Sequence, residues 1–193
     1  MWIRVIGALL FLGLAGRAVV AQETGAPGGN VQIEQAVLAA PGSMRQAATV
    51  LGYGGEDRPG DALTVLREGT NDLICLADDP EVPGFHAACY HRSLDDFMVL
   101  GRRLKAEGMG RDEIMDARYA ALASGDLKMP DRAVLYTVSA EGGPAALDGA
   151  RRLVVVYVPG ATVEDLGLPS RPEGSAPWLM LPGTPWAHIM IGR

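Results

Sequence analysis

The chain has 193 residues, a formal net charge of −6, 3 histidines and 2 cysteines. With 23 acidic against 17 basic side chains and no run of Lys or Arg, it lacks the concentrated positive charge that nucleic acids and anionic membrane surfaces select. Those two partner classes are set aside.

The first residues, MWIRVIGALLFLGLAGRAVVAQE, run from a basic start at Arg4 through an apolar stretch, Val5 to Ala15, to a small-residue exit at Val19-Val20-Ala21. This is the layout of a secretory signal peptide spanning residues 1–21, with cleavage expected after Ala21. The apolar stretch ends at Arg17, short of the roughly 20 residues that cross a bilayer, so no membrane span is expected in the cleaved product. No cysteine lies near the cleavage point, which argues against a lipid anchor. Removing 21 of the 193 residues leaves 172, enough for one domain with its own core. The excised piece carries Arg4 and Arg17 and no acid, so the net charge falls from −6 to −8. A secreted or periplasmic location is expected.

Residues 22–30, polar and glycine-rich, read as a disordered leader, with a single α+β domain over 31–193. VQIEQAVLAA places Ile33, Ala36, Val37 and Ala40 at helical spacing before Pro41-Gly42 stops the run. AATVLGY, GDALTVLREG and DLICLADD are β-rich and joined by turn-forming residues, which predicts three consecutive strands in an antiparallel meander. SLDDFMVLGRRLKAEG is the strongest helix signal. Ser93 is placed to cap it with Asp96 as the return partner, Leu94, Phe97, Met98, Gly101 and Leu104 share a face, and Gly108 stops it. RDEIMDARYAALASG predicts a second helix ending at Gly125, and the short connection Met109 to Arg111 makes the two a helical hairpin. AVLYTVSA and RLVVVYVPG return to strand character, the run Leu153 to Val158 suiting a strand buried on both faces. After a Pro/Gly-rich loop with one turn at TVEDLG, WLMLPG and AHIMIG form a closing hairpin. The expected architecture is a mainly antiparallel sheet of about five to seven strands with the helical hairpin inserted in its middle.

GFHAACYH, Gly84 to His91, surrounds Cys89 with His86 and His91, and with the distant Cys75 it offers four zinc-type ligands. An exported chain with an even cysteine count instead points to one Cys75–Cys89 disulfide, closing a loop of about 15 residues worth roughly 3 kcal/mol in the chain-entropy model. A redox disulfide would favour a Cys-x-x-Cys spacing, which is absent. His91, two residues before Ser93, is expected to bond the helix entrance or Asp95. His188 shares its strand face with Met190, and across the closing hairpin Trp178 and Met180 share one parity. Imidazole with thioethers suits Cu(I), whereas methionine beside an aromatic is also ordinary core. Trp178, Met180, Trp186, His188 and Met190 are therefore the candidate binding residues. The carboxylate clusters Glu56-Asp57-Asp61, Asp78-Asp79-Glu81 and Asp95-Asp96 match no calcium loop, and there is no phosphate loop, nucleophile elbow, His-Glu-x-x-His helix or dinucleotide fingerprint.

Taken together, LREGTNDLICLADDP, ACYHRSLDDF, LYTVS and APWLMLPGTPWAHIMIG resemble segments of uncharacterised exported bacterial proteins with the same two-cysteine layout, over about Ala47 to the end. The resemblance implies export and one domain, and carries no activity or site. The function expected is a non-enzymatic binding or envelope-associated module stabilised by one disulfide, without cofactor or metal, its partner a small molecule or an envelope protein. The alternatives are a small hydrolase using His188 or His91 with carboxylates, and a copper or zinc binder.

Overall fold

The computed structural model describes residues 28–54 and 63–192. The expected signal peptide, most of the leader and the Glu56-Asp57-Asp61 cluster lie outside the described residues. Helix α1 (Gly29–Ala36) starts within the expected leader, its first turn closed by the Gln32 amide donating to the Gly28 carbonyl at 3.2 Å. A 3-10 turn, Val37–Ala39, continues it. Then come β1 (Thr49–Gly52), β2 (Thr64–Arg67), β3 (Leu73–Leu76) and β4 (Phe85–His91), the hairpin of α2 (Asp95–Ala106) and α3 (Arg111–Ser124), and β5 (Ala133–Ala140) with β6 (Arg151–Tyr157). A single helical turn, α4 (Val163–Leu166), precedes β7 (Trp178–Met180) and β8 (His188–Gly192).

All eight strands join one sheet in the order β2-β1-β3-β4-β5-β6-β8-β7. The α+β architecture with an inserted helical hairpin is present. Among the described residues the strands number eight, not five to seven, and the sheet is mixed rather than antiparallel, because β1 and β3 run parallel. The expected meander of the first three strands is corrected for a physical reason. β3, LICL, is buried at its first three residues and needs strands on both sides, whereas β2 begins with two exposed residues and suits an edge. The chain therefore passes under the start of β1 to place β3 on its far side. At the crossing, Thr70 and Asn71 amides donate to the Ala47 carbonyl at 2.8 and 3.0 Å, and the Arg67 guanidinium donates to the carbonyls of Ala48 and Arg45. Only glycine fits at position 69, where an added methyl would overlap the Thr49 amide.

Strand alternation sends neighbouring side chains to opposite faces. Cys75, Cys89, Phe85, Val50, Leu73 and Val138 pack under α1 and the following 3-10 turn. Ile74, Tyr90, Val155 and Tyr157 face the helical hairpin, where Leu94, Phe97 and Trp186 complete a second core. Fully burying a side chain such as Leu73 or Phe97 contributes about 1.5–3 kcal/mol. The Leu153–Val158 run is not buried on both faces: β6 is largely half-buried, since the α1 layer lies over β1, β3, β4 and β5.

α2 is entered through His91, as expected for that residue, and not through the expected Ser93 cap. His91, not Ser93, supplies the capping side chain: its Nδ1 accepts from the Ser93 amide at 3.2 Å and starts a 3-10 turn, Arg92–Leu94, that leads into the helix. Asp95 is then drawn into a cluster in which it accepts from the Tyr90 hydroxyl at 2.8 Å, while Arg102 donates to that hydroxyl at 3.0 Å and stands 3.5 Å from Asp95. α3 ends at Gly125 as expected, with φ 82° making a left-handed cap.

Candidate functional site

Cys75 and Cys89 are directly opposed in the β3–β4 register and form a disulfide, with neither residue exposed. The metal reading of GFHAACYH is overturned by this bond, because both sulfurs are bonded to each other. His86, three residues from Cys89, points to the opposite face, and His91 is engaged as a cap. Among the described residues no three His, Cys, Asp or Glu side chains converge.

A cavity of about 790 Å³ lies between the helical hairpin and the sheet end formed by β6, β8 and β7. Its size falls within the roughly 300–1,000 Å³ of small-molecule sites. α2 contributes Met98, Gly101, Arg102 and Lys105, the hairpin turn Met109, and α3 Arg111, Ile114, Met115 and Arg118. The sheet supplies His86, Val155, Tyr157, Met180, His188 and Met190, and the β7–β8 connection supplies Leu181 and Trp186. The space exists because α3, unlike α2, buries none of its residues fully against the sheet. Five of the chain's eight methionines line it, a flexible and polarizable wall suited to an apolar guest.

The floor is fixed by aromatic contacts. Trp186 meets Phe97 edge-on at 4.9 Å and tilts against Tyr119 at 5.0 Å, while Phe97 and Tyr157 stand 5.9 Å apart. Trp186 is presented by a tight connection in which the Thr184 hydroxyl donates to the Leu181 carbonyl at 2.8 Å and accepts from the Trp186 amide at 3.2 Å. Leu181 takes the left-handed conformation there, φ 57°, a position costly for a side chain with Cβ. Burial raises the Tyr157 phenol above its ordinary pKa, against the opposing influence of Trp186 and Arg118.

His188 sits 7 % exposed against the Tyr157 ring, 5.3 Å between centroids. Burial lowers its pKa, the Trp186 carbonyl opposing, so the neutral ring prevails near neutral pH. Its Nδ1 lies 2.7 Å from that carbonyl, which can only accept, so Nδ1 carries the proton and the lone pair is on Nε2.

Arg118 crosses from α3 onto α2 over Gly101, where an added methyl would overlap its guanidinium. Its Cζ lies 4.1 Å from the Phe97 ring centroid and 5.9 Å from Trp186, and Nη2 donates to the Phe97 carbonyl at 2.9 Å. Its Nε is buried with no hydrogen-bond partner. Burial lowers its pKa, Tyr157 opposing and Arg102 adding to the effect; an arginine nevertheless keeps its charge.

Of the five candidate binding residues, Met180, Trp186, His188 and Met190 line this cavity. Trp178 pairs with Met190 but lines a neighbouring cleft with Arg151, Leu153 and Pro172. The hydrolase arrangement is not assembled at His188, whose neighbours are the Trp186 carbonyl and the Tyr157 ring, with no carboxylate hydrogen-bonded to it among the described residues. His91 Nδ1 is 2.8 Å from the Ser93 hydroxyl, and Asp131 lines the same cleft, yet Asp131 makes no hydrogen bond or ion pair with the ring. The helix-borne half of the cavity went unread in the sequence. Its signal was Arg118, a cation inside the apolar stripe Ile114, Met115, Tyr119 and Leu122.

No family model matches the chain, and no curated protein or solved structure matches it either.

Proposed function

We propose that the chain is an exported, non-enzymatic binding module that holds a small, largely apolar ligand in the methionine-lined cavity. The observation that carries this reading is the cavity itself: about 790 Å³, floored by Trp186 and Tyr157, lined by five methionines and bounded by basic groups. Export is supported by the Cys75–Cys89 bond, which suits an oxidising compartment, and by the signal-like first 21 residues. Among the described residues no helix is long and apolar enough to cross a membrane. The resemblance to exported bacterial proteins of two-cysteine layout agrees with this placement.

A neutral fluorescent probe such as N-phenylnaphthylamine tests the reading. It should bind the mature protein saturably with micromolar affinity, quench Trp186, and be excluded by Met115→Trp, which fills the cavity from α3. Equal binding by that variant would place the probe elsewhere and remove the reading.

The second reading, a small hydrolase, has the His91–Ser93 contact behind it. It is weaker because the Ser93 amide already donates to the same Nδ1 and no carboxylate orients the ring among the described residues. Turnover of p-nitrophenyl acetate lost in Ser93→Ala, with folding intact, would favour it over binding.

A further inference from the structure

Charge is distributed around the cavity against the trend of the whole chain. The molecule has 23 acidic and 17 basic side chains, yet the lining contains Arg102, Lys105, Arg111 and Arg118 and no Asp or Glu. Two of these cations are compensated from outside the lining, Arg102 by Asp95 at 3.5 Å and Lys105 by Asp79 at 2.9 Å. Arg111 and Arg118 have no carboxylate partner among the described residues. Arg111 opens α3, where the positive end of the helix dipole adds to its charge instead of offsetting it. Arg118 is the more telling group, because its buried Nε donor is left without an acceptor. A buried unpaired donor on a permanent cation is costly, and in a native fold it calls for a partner.

Resting on the cavity reading above, we propose that the ligand is an apolar monocarboxylate. Its carboxylate is recognised by Arg118 and Arg111, and its hydrocarbon body lies over Trp186, Met180 and Met190. A guanidinium fork matches a carboxylate in geometry and charge. Arg111 and Arg118, the two cations without a carboxylate, disfavour the competing occupant of this face, a Cu(I) ion held by His188 Nε2 and the thioethers of Met180 and Met190, since no Asp or Glu in the lining offsets an added positive charge.

Calorimetric titration of the mature protein with decanoate, decanol and buffered Cu(I) tests the proposal. Decanoate should bind at least tenfold more tightly than decanol at low salt, as expected for a charge-assisted hydrogen bond. Affinity should rise about three- to fourfold per methylene from octanoate to decanoate. Arg118→Met should bring decanoate and decanol to near parity while leaving decanol binding in place. Arg111→Gln, at an exposed position, should narrow the ratio without endangering the fold. Equal affinity of the native protein for the acid and the alcohol overturns the carboxylate proposal and leaves the cavity reading standing. Failure of both to bind removes both. Tight Cu(I) binding abolished by His188→Gln, with no binding of decanoate, replaces the carboxylate with a soft metal.

Discussion

Removing the Cys75–Cys89 bond isolates the contribution of a cross-link placed in the middle of the sheet. The two residues are 14 apart in sequence, so the closed loop is short, and the chain-entropy relation gives about 3 kcal/mol at 25 °C. Both residues are fully buried, and the Cys89 sulfur lies 3.4 Å from the Ala36 carbonyl, so substitution also disturbs packing under α1. Reduction of the native protein removes the bond but keeps the sulfurs. It should lower the unfolding free energy by about 3 kcal/mol, and the Cys75→Ala/Cys89→Ala variant should lose roughly 1–2 kcal/mol more through the vacated volume. With a urea slope of about 1–3 kcal/mol/M, the midpoint moves down by about 1–3 M. Urea titrations followed by tryptophan fluorescence, with and without reductant, measure both steps. A reduced protein within 1 kcal/mol of the oxidised one would refute the loop-entropy account, as would two reactive thiols in the native oxidised protein.

Three further outcomes are expected. Because burial depresses the His188 pKa below 6.5, the unfolded chain binds the extra proton first, and stability should fall as the pH drops through about 6.5 toward the folded value. Replacing it with Gln should flatten that segment of the stability–pH curve, and an unchanged slope would reject the assignment. Gly101→Ala gains up to about 1 kcal/mol of helix propensity but displaces the Arg118 guanidinium, so melting should hold or rise while the preference for decanoate over decanol shrinks. Gln32, 3 % exposed, donates to the Tyr53 carbonyl at 2.7 Å and accepts from its amide at 2.8 Å; Gln32→Leu should cost about 1–3 kcal/mol in urea unfolding, and a loss under 0.5 kcal/mol would show that water replaces the pair.

Periodicity served where the determining contacts were local. The α2–α3 hairpin, the αL stop at Gly125 and the pairing of Trp178–Met180 with His188–Gly192 all follow from spacing and turn residues within a short span. The Cys75–Cys89 bond was legible from the even cysteine count, but nothing in GFHAACYH showed that Phe85–His91 is a central strand whose small Ala87 and Ala88 allow close packing on both faces. The β1–β3 parallel pairing was not legible because it depends on the fit of Gly69 and the reach of Arg67, contacts across about twenty residues. The cavity was half legible: parity along the last two strands grouped Met180, His188 and Met190, but which helix face would lie above them depends on tertiary packing. Arg118 marks the missing half, and an Arg in an apolar stripe merits attention in its own right.

The two rims of the sheet meet solvent differently. At β7 the Leu179 amide donates to the Pro169 carbonyl at 2.8 Å, so the long loop after β6 seals that side. At β2 the outer strand begins with two exposed residues, and Val65 is 52 % exposed. Among the described residues, a foreign strand approaching β7 therefore finds the Leu179 amide already taken by the chain's own loop.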